Sequence, residues 1–535
     1  MSIARSVAEI LSEHVTLELE GIDRMYLNVF VPRLQREAGV AAFFRFHRGH
    51  RFASSVLMDP ISHAFVDAMG RFAEAHELDV VSFRKGERKD ELTQAYLKRF
   101  RGEEGVLFIG KAQEKTPVFR TERRRNPKTG ATYPWLVRST AMVNHFYVYC
   151  VDRDFGPFFL KFCTYFPYNA KLCINGHEWL KRQLEQRDIG YEALDNGVLA
   201  CDRPAKAQAL CEALSPQKID ALLRKWLRKL PHPFTAADRA AGYRYDVSIL
   251  QAEFSLTQVL DRPVTGRVFF EEVIRENLDI GRPDQVQLIF DRRVSRRTPG
   301  RFRTRVITEG VVPSLHVDYK SSRIKQYHKE GRALRTETTI NNTRDFGIGK
   351  LLRNLPALRT IGFQANRRLL DVQSVSHDCA IGEDAFDQVV RPIEVDGQRA
   401  SALHFGDPRT QALFAAIVLF GIQTRGFDNQ QLRSHLASLL GLDSNNYPPG
   451  RMSYDLRRLR LHGLIERIPN SYRYQLTAQG LRVAMFFSRT YARLLRPALA
   501  EITDSSTISR STLRNAFDRL QTAIDQRCED LKLAA

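Results

Sequence analysis

Three carboxylates in the first 200 residues have the types and spacing that could hold metal ions. Asp152 ends an apolar, strand-like run, Glu178 lies in a helical segment, and Asp195 precedes another short apolar run. Carboxylate oxygens are hard ligands, and a cluster of them can hold two Mg²⁺ ions for phosphodiester cleavage. These three residues are therefore the candidate catalytic residues. The sequence requires no cofactor, and Mg²⁺ is expected only if they act together.

The elements that would position these carboxylates are three consecutive strands, a helix and a further strand. That order resembles the start of the ribonuclease-H-like fold, and the resemblance implies a metal-dependent nuclease or strand-transfer enzyme. A simpler interpretation remains open, because Asp152 adjoins a tight turn and Asp195-Asn196-Gly197 is itself a turn signal. Carboxylates at turns usually face solvent or cap the backbone, so catalysis is the alternative and not the leading prediction.

A second set of residues, in the segment 408–497, could contact nucleic acid. Three helical patterns are followed by two short strand-like runs around Pro469 and then by a long helix. Gly463 can end the third helix in a left-handed conformation. The side chains then available to face outward, and suited to phosphate and guanine contacts, are Arg451, Tyr454, Arg457, Arg458 and Arg460 on the third helix and Arg473 in the hairpin.

The order helix, helix, helix, hairpin, helix resembles the winged-helix fold, in particular that of transcription regulators. In that family the third helix enters the major groove, and the hairpin contacts phosphates or the minor groove. The resemblance therefore implies duplex DNA as a partner. Winged helices also dock other proteins, so a protein–protein adaptor is a further alternative.

Residues 282–368 carry a large share of the positive charge. They contain 20 Lys/Arg and 7 Asp/Glu, whereas the whole chain has a net charge of +20. Apolar runs alternate with the charges, so the segment can fold and present a basic face to a polyanion. The candidate contacts in this segment are Lys320, Arg323, Lys325, Lys329, Arg332 and Arg335.

A shorter basic run precedes the turn at residues 126–130. Arg123, Arg124 and Arg125 are followed there by Asn-Pro-Lys-Thr-Gly, which predicts an exposed hairpin tip. Such a tip could act as an arm on nucleic acid, but a solvated loop accounts for the charge equally well.

Length and composition predict an α/β multidomain protein with an α+β centre and a C-terminal winged helix. At 535 residues the chain can hold three or four domains. The predicted boundaries are 1–200 (α/β with an antiparallel strand block), 216–370 (helical, then basic α+β), 371–407 (connector), 408–497 (winged helix) and 505–535 (a C-terminal helix that could support a homo-oligomer). Within these domains, 236–260, 266–277 and 320–329 read as helical.

The seven cysteines give no disulfide framework and no C-x-x-C pair, which favours a reducing, cytoplasmic setting. No window of the sequence is long and apolar enough for a membrane span, so no membrane partner is expected. The leading prediction is a protein that grips DNA, with RNA as an alternative, through its basic regions and the winged helix. Its binding should weaken steeply with salt.

Overall fold

The computed structural model describes residues 13–84, 89–262, 304–309, 312–329, 332–377, 382–418, 426–440, 442, 447–469, 471–490, 519, 522 and 523. These residues belong to two compact units. The first, here called the sheet unit, contains the described residues up to 262 together with 304–367. The second, the C-terminal unit, contains the described residues from Arg368 onward. The helix predicted at 266–277 lies outside the described residues, as does the helix predicted at 505–535 apart from three isolated positions.

The sheet unit is built on one mixed sheet, and the protein is mixed α/β as the sequence predicts. Its described strands are β1 (Val15–Phe30), β2 (Val80–Ser82), β3 (Gly105–Arg125), β4 (Thr132–Asp152), β5 (Gly156–Cys163), β6 (Ala170–Asn175), β7 (Tyr191–Leu194), β8 (Gly197–Cys201), β9 (Asp246–Leu260), β10 (Thr304–Glu309), β11 (Val312–Tyr319), β12 (Ser322–Lys329) and β13 (Ala333–Ile340). Eleven of them form the sheet in the order β10-β11-β12-β13-β9-β1-β6-β5-β4-β3-β2, while β7 and β8 form a separate hairpin. Neighbours are antiparallel except β2 and β3.

The helices of the sheet unit lie mostly in the connections between strands. They are α1 (Glu37–Ala42), α2 (Ser55–Ala75), α3 (Lys89–Arg99), α4 (Gly176–Glu185), α5 (Pro204–Glu212), α6 (Pro216–Lys229), α7 (Ala236–Ala240) and α8 (Leu355–His377), whose last ten residues belong to the C-terminal unit. One π-helical turn, Phe43–His47, continues α1. Among the described residues, no helix combines the length and the apolar run needed to cross a membrane.

The first two predicted domains share this sheet. Strand β1 pairs with β6 on one side and with β9 on the other, so residues from both 1–200 and 216–370 are joined by one hydrogen-bonded ladder. The predicted alternation of strand, helix and strand is confirmed by β2, α3 and β3, whose two strands are parallel. The antiparallel block of β4, β5 and β6 is confirmed as well.

Two helix predictions in this unit are wrong. Residues 236–260 contain only the short α7, after which the chain becomes β9; residues 320–329 form a turn and β12 instead of a basic helix. In β12 the buried positions alternate with more accessible ones, as in any half-buried strand. The alternation was missed because three of its four buried side chains, Ser322, Gln326 and His328, are polar.

The described part of the C-terminal unit consists of short elements. They are α9 (Glu383–Val390), β14 (Ile393–Val395), β15 (Gln398–Ala400), α10 (Pro408–Val418), α11 (Asn429–Leu439), α12 (Pro449–Leu461), β16 (Ile465–Arg467), β17 (Tyr474–Leu476) and α13 (Ala478–Arg489). The predicted connector 371–407 thus contains a helix and a hairpin. Strands β16 and β17 pair as an antiparallel hairpin.

Strands β3 and β4 form a hairpin far longer than its neighbours. They pair continuously out to Arg125 and Thr132, but β5 pairs with β4 only from His145 to Asp152. Residues 145–152 of β4 are all buried, whereas most of its outer residues are not. Beyond Asn144 the hairpin is therefore a two-stranded arm, roughly 40 Å long at 3.4 Å per residue.

A buried arginine joins three elements of the sheet unit. The Arg335 guanidinium on β13 has no exposed surface and lies 2.8 Å from an Asp23 carboxylate oxygen on β1 and 2.7 Å from a Glu337 oxygen. It also donates to the backbone oxygen of Asn196, in the turn of the β7–β8 hairpin, and to Nε2 of His177 on α4. A charge removed from water is tolerated only when such partners surround it.

We predict that Arg335→Ala lowers the free energy of unfolding by about 3–5 kcal/mol, because it leaves the Asp23 and Glu337 carboxylates buried without their counter-ion. Urea unfolding followed by circular dichroism measures the change. The matched control is Arg332→Ala, which removes an exposed arginine 3.7 Å from Glu192 and should cost less than about 1 kcal/mol. Equal losses from the two variants would contradict the role assigned to Arg335.

A pH dependence follows from His177. Burial, together with the neighbouring Arg335, lowers the pKa of His177 to about 3, so the folded protein resists a proton that the unfolded chain accepts below about 6.5. Stability is therefore lost as pH falls from about 6.5 towards 3, with a slope approaching 1.4 kcal/mol per pH unit. Burial and Asp23 raise the pKa of Glu253 to about 7. The folded protein therefore holds a proton that the unfolded chain has lost, and this carboxyl makes stability fall as the pH rises towards 7.

We expect the difference in unfolding free energy between the wild type and His177→Gln to isolate the histidine, because Glu253 is present in both proteins. The wild type should lose stability relative to the variant between pH 6 and pH 4. Parallel pH profiles from chemical denaturation of the two proteins would show that His177 is protonated as readily in the folded state as in the unfolded chain.

Candidate nucleic-acid interface

The tip of the arm carries the predicted arginines. The turn is held by Asn126, whose side-chain oxygen accepts from the backbone N–H groups of Lys128 and Thr129, and by Gly130 at φ +68°. Arg123, Arg124 and Arg125 precede this turn and are all exposed. The prediction of an exposed hairpin tip is confirmed; the prediction that it contacts nucleic acid stays a prediction.

The outer half of the arm contacts the segment from Gln35 to Ser55, which contains α1 and leads into α2. The Ser55 backbone N–H donates to Thr121 Oγ1 at 2.8 Å, and Arg138 donates to the backbone oxygen of Gln35. Between the arm and this segment lies a groove of about 490 Å³, here called the arm groove. It is lined by Glu37, Ala38, Ala41, Arg45, Arg51, Phe52, Ala53, Tyr133, Pro134, Trp135 and Leu136.

Exposed aromatic side chains in and beside the arm groove each have an arginine next to the ring. Phe46 is 79% exposed, Phe52 45% and Trp135 44%. The guanidinium carbons of Arg45, Arg51 and Arg124 lie 5.4, 5.4 and 4.8 Å from the respective ring centroids. Aromatic faces stack on bases, and the adjacent guanidinium groups attract phosphate, so this arrangement can bind single-stranded nucleic acid.

These aromatic residues are not among those predicted from the sequence. A signal was present in the run from Phe44 to Phe52, where aromatic residues alternate with Arg45, Arg48 and Arg51. Phe43 and Phe44 are buried, however, while Phe46 and Phe52 are exposed. The sequence offers no means of separating the two pairs, because burial depends on the position of Phe166 and Tyr243, which pack against the inner rings.

The basic residues around β12 lie near the other end of the sheet. Arg323 and Arg332 are exposed, whereas Lys320, Lys325 and Lys329 are half-buried. Lys329 Nζ lies 3.4 Å from an Asp195 oxygen, and Lys325 Nζ lies 4.1 Å from the ring centroid of Tyr327. Six strands separate β12 from β3, or roughly 30 Å at the usual strand spacing. The structure does not bring these residues together with the arm.

The prediction that Arg335 contacts nucleic acid is wrong. Its guanidinium is buried and paired with Asp23 and Glu337, so no phosphate can reach it without breaking the core.

In the C-terminal unit, some of the residues predicted to contact nucleic acid are exposed. Arg451, Tyr454, Arg457 and Arg460 on α12 face solvent. Two other arginines of the predicted set, Arg458 and Arg473, correct the prediction, because their side chains bind groups of the same unit. Arg458 donates to the backbone oxygens of Ser401 and Ala402, and Arg473 pairs with Asp428 and donates to the backbone oxygen of Gly426.

The β16–β17 hairpin exposes other residues instead. Tyr472 is the most exposed large side chain near its tip, and the Arg467 guanidinium carbon lies 5.5 Å from the Tyr472 ring centroid. The sequence analysis named Arg473 in this hairpin and did not name Arg467 or Tyr472.

The three candidate catalytic carboxylates are not arranged as a metal site. Asp152 is buried and accepts from the backbone N–H groups of Asp154 and Phe155, from Lys225 Nζ and from Trp226 Nε1. Its carboxylate is thus saturated by protein donors. Glu178 and Asp195 are instead joined through Lys181, whose Nζ donates to a Glu178 carboxylate oxygen and to the Asp195 backbone oxygen.

The strand order also differs from the ribonuclease-H-like expectation. After α4 the chain forms the β7–β8 hairpin, which is a separate sheet. Within the described residues, no group of three or more His, Cys, Asp or Glu side chains is placed to hold a metal ion. The prediction that Asp152, Glu178 and Asp195 form one catalytic cluster is therefore wrong for this structure, because Asp152 serves as a turn cap and an internal counter-ion.

Comparisons with models of protein families, with curated proteins and with solved structures give no match for this chain.

We predict that acrylamide quenches the fluorescence of one tryptophan in this protein. The chain has three tryptophans; Trp179 and Trp226 are 3% and 2% exposed, and only Trp135 in the arm groove is open to solvent. Trp135→Phe should remove most of the quenchable emission. Trp226→Phe is the control and should leave it in place. Wild-type emission that resists acrylamide would show that the groove is closed in solution, and quenching that survives in Trp135→Phe would show that Trp179 or Trp226 is accessible.

Proposed function

We propose that this protein binds nucleic acid, with the arm groove holding unpaired bases and the backbone that joins them. The observation that carries the proposal is the set of three exposed aromatic rings, Phe46, Phe52 and Trp135, each beside an arginine. Exposed aromatic side chains cost hydration free energy and mark binding sites when they cluster. Together with arginine they suit a polymer that presents flat rings along a chain of phosphates.

The charge at the groove supports an anionic partner. Arg45 and Arg51 line the groove, and Arg124 stands over Trp135 beside it. The one acidic residue in the lining of the arm groove, Glu37, lies 3.8 Å from the Arg138 guanidinium. The charge of the groove is thus positive, and the exposed arginines of the arm tip extend it.

For the C-terminal unit we propose a winged-helix domain that contacts the backbone of a duplex. The supporting observations are the order α10, α11, α12, β16, β17, α13 and the exposure of Arg451, Arg457 and Arg460 along α12. In a winged helix the third helix is the one that enters the groove of DNA. The pair Arg467 and Tyr472 would then act from the hairpin.

The test is fluorescence anisotropy with a labelled single-stranded 20-mer and the corresponding duplex, using the full chain at several salt concentrations. We expect Phe52→Ala with Trp135→Ala to weaken single-strand binding by about tenfold or more, since each stacked base contributes roughly 1–3 kcal/mol. Replacing Arg451, Arg457 and Arg460 by Gln should weaken duplex binding and reduce the slope of log K against log salt by about 1 per arginine.

The matched control is the double variant Arg71→Gln with Arg99→Gln. Both arginines are exposed, neither lines the arm groove, and Arg71 lies sixteen residues along α2 from Ser55, or about 24 Å. This variant removes two charges and should retain wild-type affinity for both probes. Affinity that does not depend on salt, or an equal loss in the control, would reject the proposal.

A further inference from the structure

A second concave site lies in the sheet unit, between α6 and the segment that joins α7 to β9. Its volume is about 550 Å³, and it is here called the arginine cavity. It is lined by Arg224, Leu227, Arg228, Leu230, His232, Phe234, Arg239, Tyr243, Arg244 and Tyr245. The four arginines come from two parts of the chain. Arg224 and Arg228 lie one turn apart on α6. Arg239 belongs to the short α7, and Arg244 follows in the segment that leads to β9.

The lining contains four arginines and no carboxylate. Arg224 pairs with Asp220, one turn earlier on α6. The other guanidinium groups are oriented by neutral acceptors: Arg228 Nε donates to the Arg224 backbone oxygen at 3.3 Å, Arg239 Nη1 to the Phe234 backbone oxygen at 2.6 Å, and Arg244 Nε to the Arg239 backbone oxygen at 2.7 Å. Backbone acceptors fix direction without neutralising charge, so the cavity retains a strong positive potential.

The His232 side chain is part of the lining, and one of its ring nitrogens is buried without a partner among the described residues. Its Nε2 lies 3.1 Å from Arg239 Nη1 and must accept from it, so the neutral ring carries its proton on Nδ1. Within the described residues Nδ1 is buried and has no hydrogen-bond partner. Burial and Arg239 lower the pKa of His232 to about 4, which keeps the ring neutral near pH 7. A buried donor without a partner is costly.

The remaining lining residues are Leu227 and Leu230 and three aromatic residues, which are held in place. The Tyr245 hydroxyl donates to the Tyr168 backbone oxygen at 2.7 Å, and the Phe234 and Tyr245 rings meet edge to face at 5.4 Å between centroids. Tyr243 is buried against Phe43 at 4.7 Å. Rigid aromatic walls beside guanidinium groups suit a ligand that combines a flat ring with an anionic group.

The arginine cavity adjoins the segment that carries the aromatic residues of the arm groove. The His47 ring lies 5.1 Å from the Tyr243 ring, and the Arg48 guanidinium donates to Asp238 of α7 at 2.7 Å. The residues between Phe43 and Phe52 therefore contact α7 and Tyr243 while exposing Phe46 and Phe52 near the groove.

We propose that the arginine cavity binds a phosphate monoester attached to a nucleoside. Arg228, Arg239 and Arg244 receive the dianionic phosphate, and the aromatic walls receive the ring. The same chemistry is presented by the 5′-phosphorylated end of a nucleic-acid strand and by a free nucleoside monophosphate. Binding of a phosphorylated strand end rests on the function proposed for the arm groove, whereas binding of a free nucleoside monophosphate does not.

The test compares two single-stranded 12-mers, labelled at the 3′ end, that differ only in a 5′-phosphate or a 5′-hydroxyl. With the wild-type chain, the 5′-phosphorylated strand should bind at least about tenfold more tightly, a difference of roughly 1.4 kcal/mol. Arg228→Gln with Arg244→Gln should abolish that difference and leave the affinity for the 5′-hydroxyl strand unchanged. Both side chains are exposed, so their replacement should not disturb folding. The control Arg71→Gln with Arg99→Gln should keep the difference.

Adenosine monophosphate, with adenosine as its control, tests whether the cavity binds a free nucleotide. Binding of the monophosphate alone, measured by isothermal titration calorimetry and lost in the Arg228/Arg244 variant, would support the cavity with a free nucleotide as ligand. The proposal is overturned if neither the terminal phosphate nor the monophosphate has an effect, or if the variant retains the effect. Salt-dependent binding of both strands without a phosphate preference would reject the cavity proposal alone, whereas failure to bind either strand would count against the arm groove.

Discussion

The sheet unit depends on one buried charge. Arg335 lies on β13, and Asp23 on β1 is 312 residues earlier in the chain. The guanidinium also reaches the turn of the β7–β8 hairpin and the start of α4. Because a buried guanidinium must be surrounded by acceptors, this one residue constrains the position of three elements. It thereby fixes the central part of the sheet, whose outer strands β3 and β4 extend into the arm.

The arginines of this chain illustrate what can and cannot be predicted from the sequence. Arg332 and Arg335 are three residues apart and look equivalent in the sequence, yet one is exposed and the other has no exposed surface. On α12, Arg457 is exposed whereas its neighbour Arg458 is half-buried. The distinction depends on acceptors supplied by distant segments, such as Ser401 for Arg458. Local patterns therefore predict that a segment is basic without predicting which of its charges face solvent.

The predictions that the structure confirms are those that local patterns determine. The hairpin tip at residues 126–130 and the strands β4, β5 and β6 follow from turn residues and apolar runs. Asp152 was correctly placed at the end of a strand, but its assignment to a metal site failed because Lys225 and Trp226 lie more than seventy residues away in sequence. The arm groove and the arginine cavity were missed for the same reason, since each is formed by segments that meet only in the folded chain.

Both proposed sites carry more arginines than carboxylates in their linings, and the central claim is that the arm groove is a surface for nucleic acid. Ultraviolet crosslinking of a bound single-stranded oligonucleotide, followed by mass spectrometry of the peptides, tests this claim most directly. The account predicts crosslinks to Trp135 and to the segment that contains Phe46 and Phe52. Crosslinks confined to other exposed aromatic residues of the sheet unit, with Trp135, Phe46 and Phe52 unmodified, would contradict it.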